Sequence, residues 1–183
     1  MKTLISCAIA ILLVACGFFI WKHYHNNPAS SSIAEKIVIQ GDAECVSKTT
    51  AALNLLKQKS PDGYSEVESY IGIIQCQPSG SGMYAMEKPP RFVVGNQTRD
   101  AGVIWYAGAI VHDSNHSKLY NQYLTAHPGI PVPADVWTGQ AAENQCIAVQ
   151  YKALEDLGAD AATLKYLQSQ TNSNYWQQEN RTW

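Results

Sequence analysis

Residues 105–120 read WYAGAIVHDSNHSKLY, and the spacing within this stretch decides both the helical reading of the chain and its candidate chemistry. On a helix, positions four apart lie one above the other on the same face. Trp105, Gly108, Ala109, His112, His116 and Leu119 then form one stripe, with small residues at Gly108 and Ala109 where another element can come close. The stripe sets His112 and His116 one turn apart, with Asp113 directly after the first. Two imidazoles so placed can point at one metal ion, and a carboxylate beside them can activate the water bound there.

Outward from this stretch, residues 98–126 read as one long helix, with Thr98 or Asp100 available as its cap. HPGIPV at 127–132, with Pro133 following, is a rigid break. A further long helix is expected over 134–157, stopped by Gly158, and a shorter one over 160–170. The inward stripe of the 134–157 helix is Val136, Gln140, Glu143, Ile147, Gln150, Leu154 and Leu157. Glu143 therefore puts a carboxylate on a face that should be buried, where an unpaired charge is expensive. A metal ion would compensate it, and Lys118 or Arg99 are the alternative partners.

Upstream, residues 42–59 read as a helix with Val46, Ala52, Leu53, Leu55 and Leu56 on its apolar face. Ser60-Pro61-Asp62-Gly63 interrupts it, and residues 64–75 read as a second helix with Val67, Tyr70, Ile71 and Ile74 inward. So short a link folds two helices back on each other. Cys45 lies fifteen residues before Ser60 and Cys76 fifteen after Pro61, so both reach the same end of the hairpin. A Cys45–Cys76 disulfide is expected; the alternative is two separately buried thiols. Residues 77–82 read as a loop, and 83–86 and 92–94 as short strands around Lys88-Pro89-Pro90. The tail from 171 to 183 carries Tyr175, Trp176 and Trp183 to pack back. The fold class expected is mainly α with a small β element (α+β).

The N-terminus has a different composition. Lys2 precedes an apolar run from Leu4 to Trp21, which ends at Lys22, His23, Tyr24 and His25. That length reaches the lower range for spanning a bilayer core. Residues 1–25 are therefore expected to be a signal anchor or signal peptide, making the membrane a partner through the N-terminal helix. Leu13-Val14-Ala15-Cys16 before Gly17 also fits a lipoprotein processing site, with Cys16 as the lipidated residue. Each alternative places the rest of the chain on the periplasmic or extracellular face. Residues 26–36, including NNPASSS, read as a polar linker, and 37–183 as one domain of a size that buries a single core. With 15% charged residues, a net charge of -2 and no basic block, the chain gives no support to a nucleic-acid partner. No Gly-rich phosphate loop, G-x-S-x-G elbow or CxxC pair is present.

The combination His112, Asp113, His116 and then Glu143, within Ala141-Ala142-Glu143-Asn144-Gln145-Cys146, resembles the gluzincin branch of zinc metallopeptidases. There H-E-x-x-H on one helix is followed by a Glu ligand from a later one. The resemblance covers residues 112–150. It implies a zincin-like fold with a small sheet beside the first metal helix, and Zn2+ held by His112, His116 and Glu143 with water in the fourth position. It also implies a peptide or protein substrate, with Asp113 as catalytic base. Aspartate is one methylene shorter than the family's glutamate, which sets its carboxylate about 1–1.5 Å further from that water. Misplacement on this scale lowers rates about a hundredfold. Metal binding is thus the better supported expectation, and hydrolysis the weaker one.

Alternatives remain at this stage. His112 and His116 could be core histidines hydrogen-bonded to Glu143 or a backbone carbonyl, in a non-catalytic helical surface module with a structural or vestigial metal site. Cys146 could join the site or be an inert buried thiol. His127 is expected to be exposed. Tyr120, Tyr166 and Tyr175 are candidate electrophilic helpers, each with simple packing as its alternative.

Overall fold

In the computed structural model the described residues are 37–177; the expected anchor over 1–25, the linker over 26–36 and Trp183 lie outside them. Seven α-helices, a short 3-10 helix (Tyr175–Gln177) and a four-stranded sheet occupy this span, in agreement with the α+β expectation. No helix among the described residues is long and apolar enough to cross a membrane.

The chain opens with β1 (Val38–Gln40) and α1 (Ala43–Lys59), whose N-cap Asp42 accepts a hydrogen bond from the Cys45 amide at 2.8 Å. After Ser60, α2 (Pro61–Tyr70) starts on a proline, the residue whose missing N–H does least harm at that position. The helix expected over 64–75 ends early. Ile71 is already extended, and Ile73–Gln77 forms β2. Ile71, Ile73 and Ile74 are β-branched, and Gly72 lets the chain pass so close to Pro89 that an added Cβ would lie 2.3 Å from the proline Cβ.

The short strands expected over 83–86 and 92–94 are β3 (Gly82–Tyr84) and β4 (Arg91–Gly95), which pair with each other, and the sheet order is β1-β2-β4-β3. β1, β2 and β4 run parallel, with Ile74 opposite both Ile39 and Phe92; β3 runs antiparallel on the edge. The Cys45–Cys76 disulfide is present, with its Cα atoms 6.1 Å apart. It joins the first turn of α1 to strand β2, rather than two ends of a helical hairpin.

The helix expected over 98–126 is two pieces. α3 (Asn96–Arg99) is a single turn, and α4 (Val103–Ala126) restarts after Gly102, which has φ +110°. Gly139, with φ +81°, likewise divides the expected 134–157 helix into α5 (Ala134–Trp137) and α6 (Gln140–Leu157). Both breaks put glycine where an L side chain would be strained. Gly158 caps α6 in the left-handed conformation, and α7 (Ala161–Ser169) begins on its N-cap Asp160.

α4 is the central element. Its residues 105–117 are all buried, so the single inward stripe was too narrow a reading. One side of α4 meets α1, α2 and the sheet through Tyr106, Ile110, Leu56, Val67, Ile74 and Phe92. Another side meets α6, α7 and the tail through Trp105, Ala109, Ile147, Leu154, Leu167 and Tyr175. The α4–α6 crossing is close because position 108 has no side chain; a Cβ there would lie 2.7 Å from Leu154 Cδ2.

Candidate metal centre

α4 and α6 pack along the length that carries the histidines and Glu143, and their side chains meet. His112 Nε2 and His116 Nε2 lie 3.2 Å apart. Glu143 Oε2 is 3.3 Å from the first, and Glu143 Oε1 is 3.6 Å from the second. All three residues are buried. Lys118 and Arg99, the alternative partners of Glu143, are engaged elsewhere: Lys118 with Glu66 at 2.6 Å and Arg99 with Asp100 at 2.8 Å.

Each ring is held from behind. His116 Nδ1 donates to the Trp137 carbonyl at 2.6 Å. That carbonyl belongs to the end of α5, where the break at Gly139 removes the helical partner it would otherwise have. His112 Nδ1 faces Gln150 Oε1 at 2.9 Å. The Tyr175 hydroxyl, from the turn after α7, donates to Glu143 Oε2 at 2.5 Å. Outer partners of this kind orient imidazole and carboxylate groups toward a metal.

The donor set fits a cation. Zinc bonded to nitrogen or oxygen at about 2.0–2.1 Å in a tetrahedron implies ligand–ligand edges of about 3.3–3.4 Å. Here the two Nε2 atoms are 3.2 Å apart, and Glu143 offers each a different oxygen, Oε2 at 3.3 Å from His112 and Oε1 at 3.6 Å from His116. Cys146, one turn beyond Glu143, is also within reach: its Sγ and one ring nitrogen each of His112 and His116 lie within 4.8 Å of one another. This buried His-His-Cys group could hold a metal ion. Asn115 Nδ2 donates to Cys146 Sγ at 3.3 Å.

Electrostatics at the site follow from burial and from these partners. Burial acts to raise the Glu143 carboxyl. The hydrogen bond from His112, the charges of His112 and His116 when protonated, and the Tyr175 hydroxyl outweigh it and leave the group at about 2. A buried carboxylate is therefore ionised throughout the neutral range. Burial, together with the Glu143 charge and hydrogen bond, pushes the Tyr175 phenol far above its ordinary value, so it remains a donor. Burial also raises the Cys146 thiol, against the lowering effect of Asn115.

A cavity of about 260 Å³ opens at the centre. His112, Asp113, His116 and Glu143 line it together with Ser81, Gly82 and Met83 of the β3 region, Trp137 and Thr138 after α5, and Trp176 of the tail. Asp113 thus faces the same space as the three ligand candidates. Cys146 is fully buried and lies outside that lining. His127 is exposed and stacks on Tyr123, as its position in the sequence suggested. Tyr120 packs against Trp137 and Tyr166 against Trp105, while Tyr175 alone of the three candidate tyrosines meets Glu143.

Sequence reasoning missed Gln150, the Trp137 carbonyl and the contribution of β3. Gln150 carried a signal, because it is a further polar residue on the apolar stripe of α6, after Gln140 and two turns beyond Glu143. The other two depend on a chain break and a sheet edge that only the fold places. No protein-family model, curated protein or solved structure matches this chain.

Proposed function

We propose that this protein is a membrane-tethered, extracytoplasmic zinc protein of zincin type that hydrolyses peptide bonds. The observation that carries the reading is the facing arrangement of His112 Nε2, His116 Nε2 and the Glu143 carboxylate, each with an outer partner and all bordering one cavity. His112, His116 and Glu143 would hold the ion. When bound, zinc would polarise the scissile carbonyl and lower the pKa of its water toward about 7.

The chain's own groups then have separate roles. Asp113 takes the proton of the attacking water and returns it to the leaving amine, from a carboxylate set back by one methylene. Tyr175 holds Glu143, and Trp137 and Gln150 hold the rings. The β3 edge, Trp137 and Trp176 wall the substrate space. Exposure of the domain to an oxidising compartment is supported by the Cys45–Cys76 disulfide together with the apolar N-terminal run.

Cys146 favours a second reading. With His112 and His116 it forms a buried group that could hold an ion, and were Glu143 to join them the centre would be closed by four protein ligands, as in structural rather than catalytic zinc sites. X-ray absorption at the zinc edge separates the two. A sulfur neighbour at about 2.3 Å supports closure, and only nitrogen and oxygen at about 2.0–2.1 Å supports the open, hydrolytic form.

Asp113 variants of the full chain, assayed on a mixed peptide library, test the hydrolase directly. Asp113→Ala is expected to keep zinc and lose turnover, while Asp113→Glu keeps zinc and raises the rate toward the roughly hundredfold deficit of the shorter side chain. Turnover unchanged in Asp113→Ala would remove the hydrolytic role.

A further inference from the structure

The chain has to turn back after α7 for Tyr175 to reach Glu143, and the backbone marks where it does. Asn172 has φ +61°, and among the described residues it is the one left-handed residue that is not glycine. Asparagine tolerates this conformation because its short polar side chain finds a hydrogen bond there. The partner here lies across the fold, on α6. Asn172 Oδ1 accepts from Asn144 Nδ2 at 2.7 Å, and the Asn172 amide donates to Asn144 Oδ1 at 3.0 Å.

Asn144 directly follows Glu143 in the chain. A backbone N–H can only donate, so the Asn172 amide fixes which end of the Asn144 side chain faces it. Gln140, one turn earlier on α6, donates from Nε2 to the same Oδ1 at 3.0 Å. Two adjacent residues of α6 are thus bonded to one returning turn, Asn144 to Asn172 and Glu143 to Tyr175. Ser173 and Asn174 alone lie between the two bonded positions of that turn. Ser173 Oγ stiffens the link by donating to the Gln170 carbonyl at 2.7 Å. The Tyr175 ring is buried beside Trp105, Ile147 and Leu167. Such apolar packing is non-directional, whereas the Asn144–Asn172 bonds fix the place and angle at which the turn meets α6.

We propose that Asn144 is a positioning residue that clasps Asn172 and so seats the Tyr175 hydroxyl on Glu143; this rests on the metal reading above. Asn144 touches none of the three ligands through these bonds, so its effect on the metal passes through Tyr175. With the clasp open, the turn is free to shift along α6 and the Tyr175–Glu143 bond lengthens. Glu143 then loses the donor that orients its carboxylate. Trp176, the next residue of the turn, moves with it, and Trp176 is a wall of the cavity. One clasp on the outside of α6 therefore sets both the carboxylate ligand and one side of the substrate space.

A double-mutant cycle on the full chain, read as the zinc dissociation constant in competition with a chelator, tests this. Asn144→Ala is expected to raise the constant about 3–10-fold, the scale of one or two neutral hydrogen bonds. In a Tyr175→Phe background the same change should add nothing, because the bond it positions is already gone. Asn172→Gly keeps the left-handed backbone and its amide donor, and should weaken zinc binding less than Asn144→Ala does. Asn172→Val is strained at that φ and should weaken it at least as much. If Asn144→Ala and Tyr175→Phe multiply in full, Asn144 does not act through Tyr175 and the proposal is wrong. If Asn144→Ala lowers the urea midpoint but leaves the zinc constant of folded protein unchanged, the clasp is structural and the metal centre stands. If wild-type protein binds no zinc, the metal reading fails and the positioning role fails with it.

Discussion

At the scale of single residues, the centre is a problem of buried polar groups brought into mutual reach. Glu143 would be costly where it lies without partners, and the structure supplies His112, His116 and Tyr175 within a few ångströms. Tyr175→Phe removes one short hydrogen bond and leaves the ring packing in place. It should raise the dissociation constant for zinc about 10–100-fold in competition with a chelator. An unchanged constant would reduce Tyr175 to a packing residue. Helical spacing alone relates His112, Asp113 and His116 in the sequence, and Glu143 stood out separately as a carboxylate on the inward stripe of the next long helix. Tyr175 was not legible, since which of ten tyrosines reaches Glu143 depends on where the tail returns.

Among elements, the contact of α4 with α6 decides whether the centre exists. Gly108 permits that contact, with Leu154 and Gln150 lying against the space a side chain would fill. Gly108→Ala should destabilise the fold by about 1–3 kcal/mol in denaturant unfolding, because Leu154 is fixed in the core and has little room to yield. A neutral effect would mean that the two helices can separate without loss. The expected helices over 98–126 and 134–157 were right in type and too long, because periodicity does not register a glycine that reverses φ. Residues 71–75 were misread for a related reason. A short apolar run with Gly72 fits a helix end and a buried parallel strand equally well, and only pairing with β1 and β4 decides between them. The break at Gly139 is also functional in this account, since it releases the Trp137 carbonyl to His116.

Across the whole molecule, the Cys45–Cys76 disulfide and the centre act on different parts of the fold. The bridge closes 31 residues between α1 and β2, while the ligand candidates sit on α4 and α6. Replacing both cysteines by alanine should lower stability by about 3–4 kcal/mol, the loop-entropy value for that length. Zinc affinity of the folded fraction should not change, which chelator competition at low denaturant would check. Coupled loss of affinity would show that the sheet helps to set the ligands. The disulfide was legible in the sequence although the hairpin argued for it was not formed, because the start of α1 still lies beside the segment carrying Cys76. The central claim, that His112, His116 and Glu143 form a metal centre, is tested most directly by the zinc content of the purified full chain. One ion per chain is expected, lost in His112→Ala and retained in the exposed control His127→Ala; wild-type protein without stoichiometric zinc, or zinc content indifferent to His112→Ala, would contradict it.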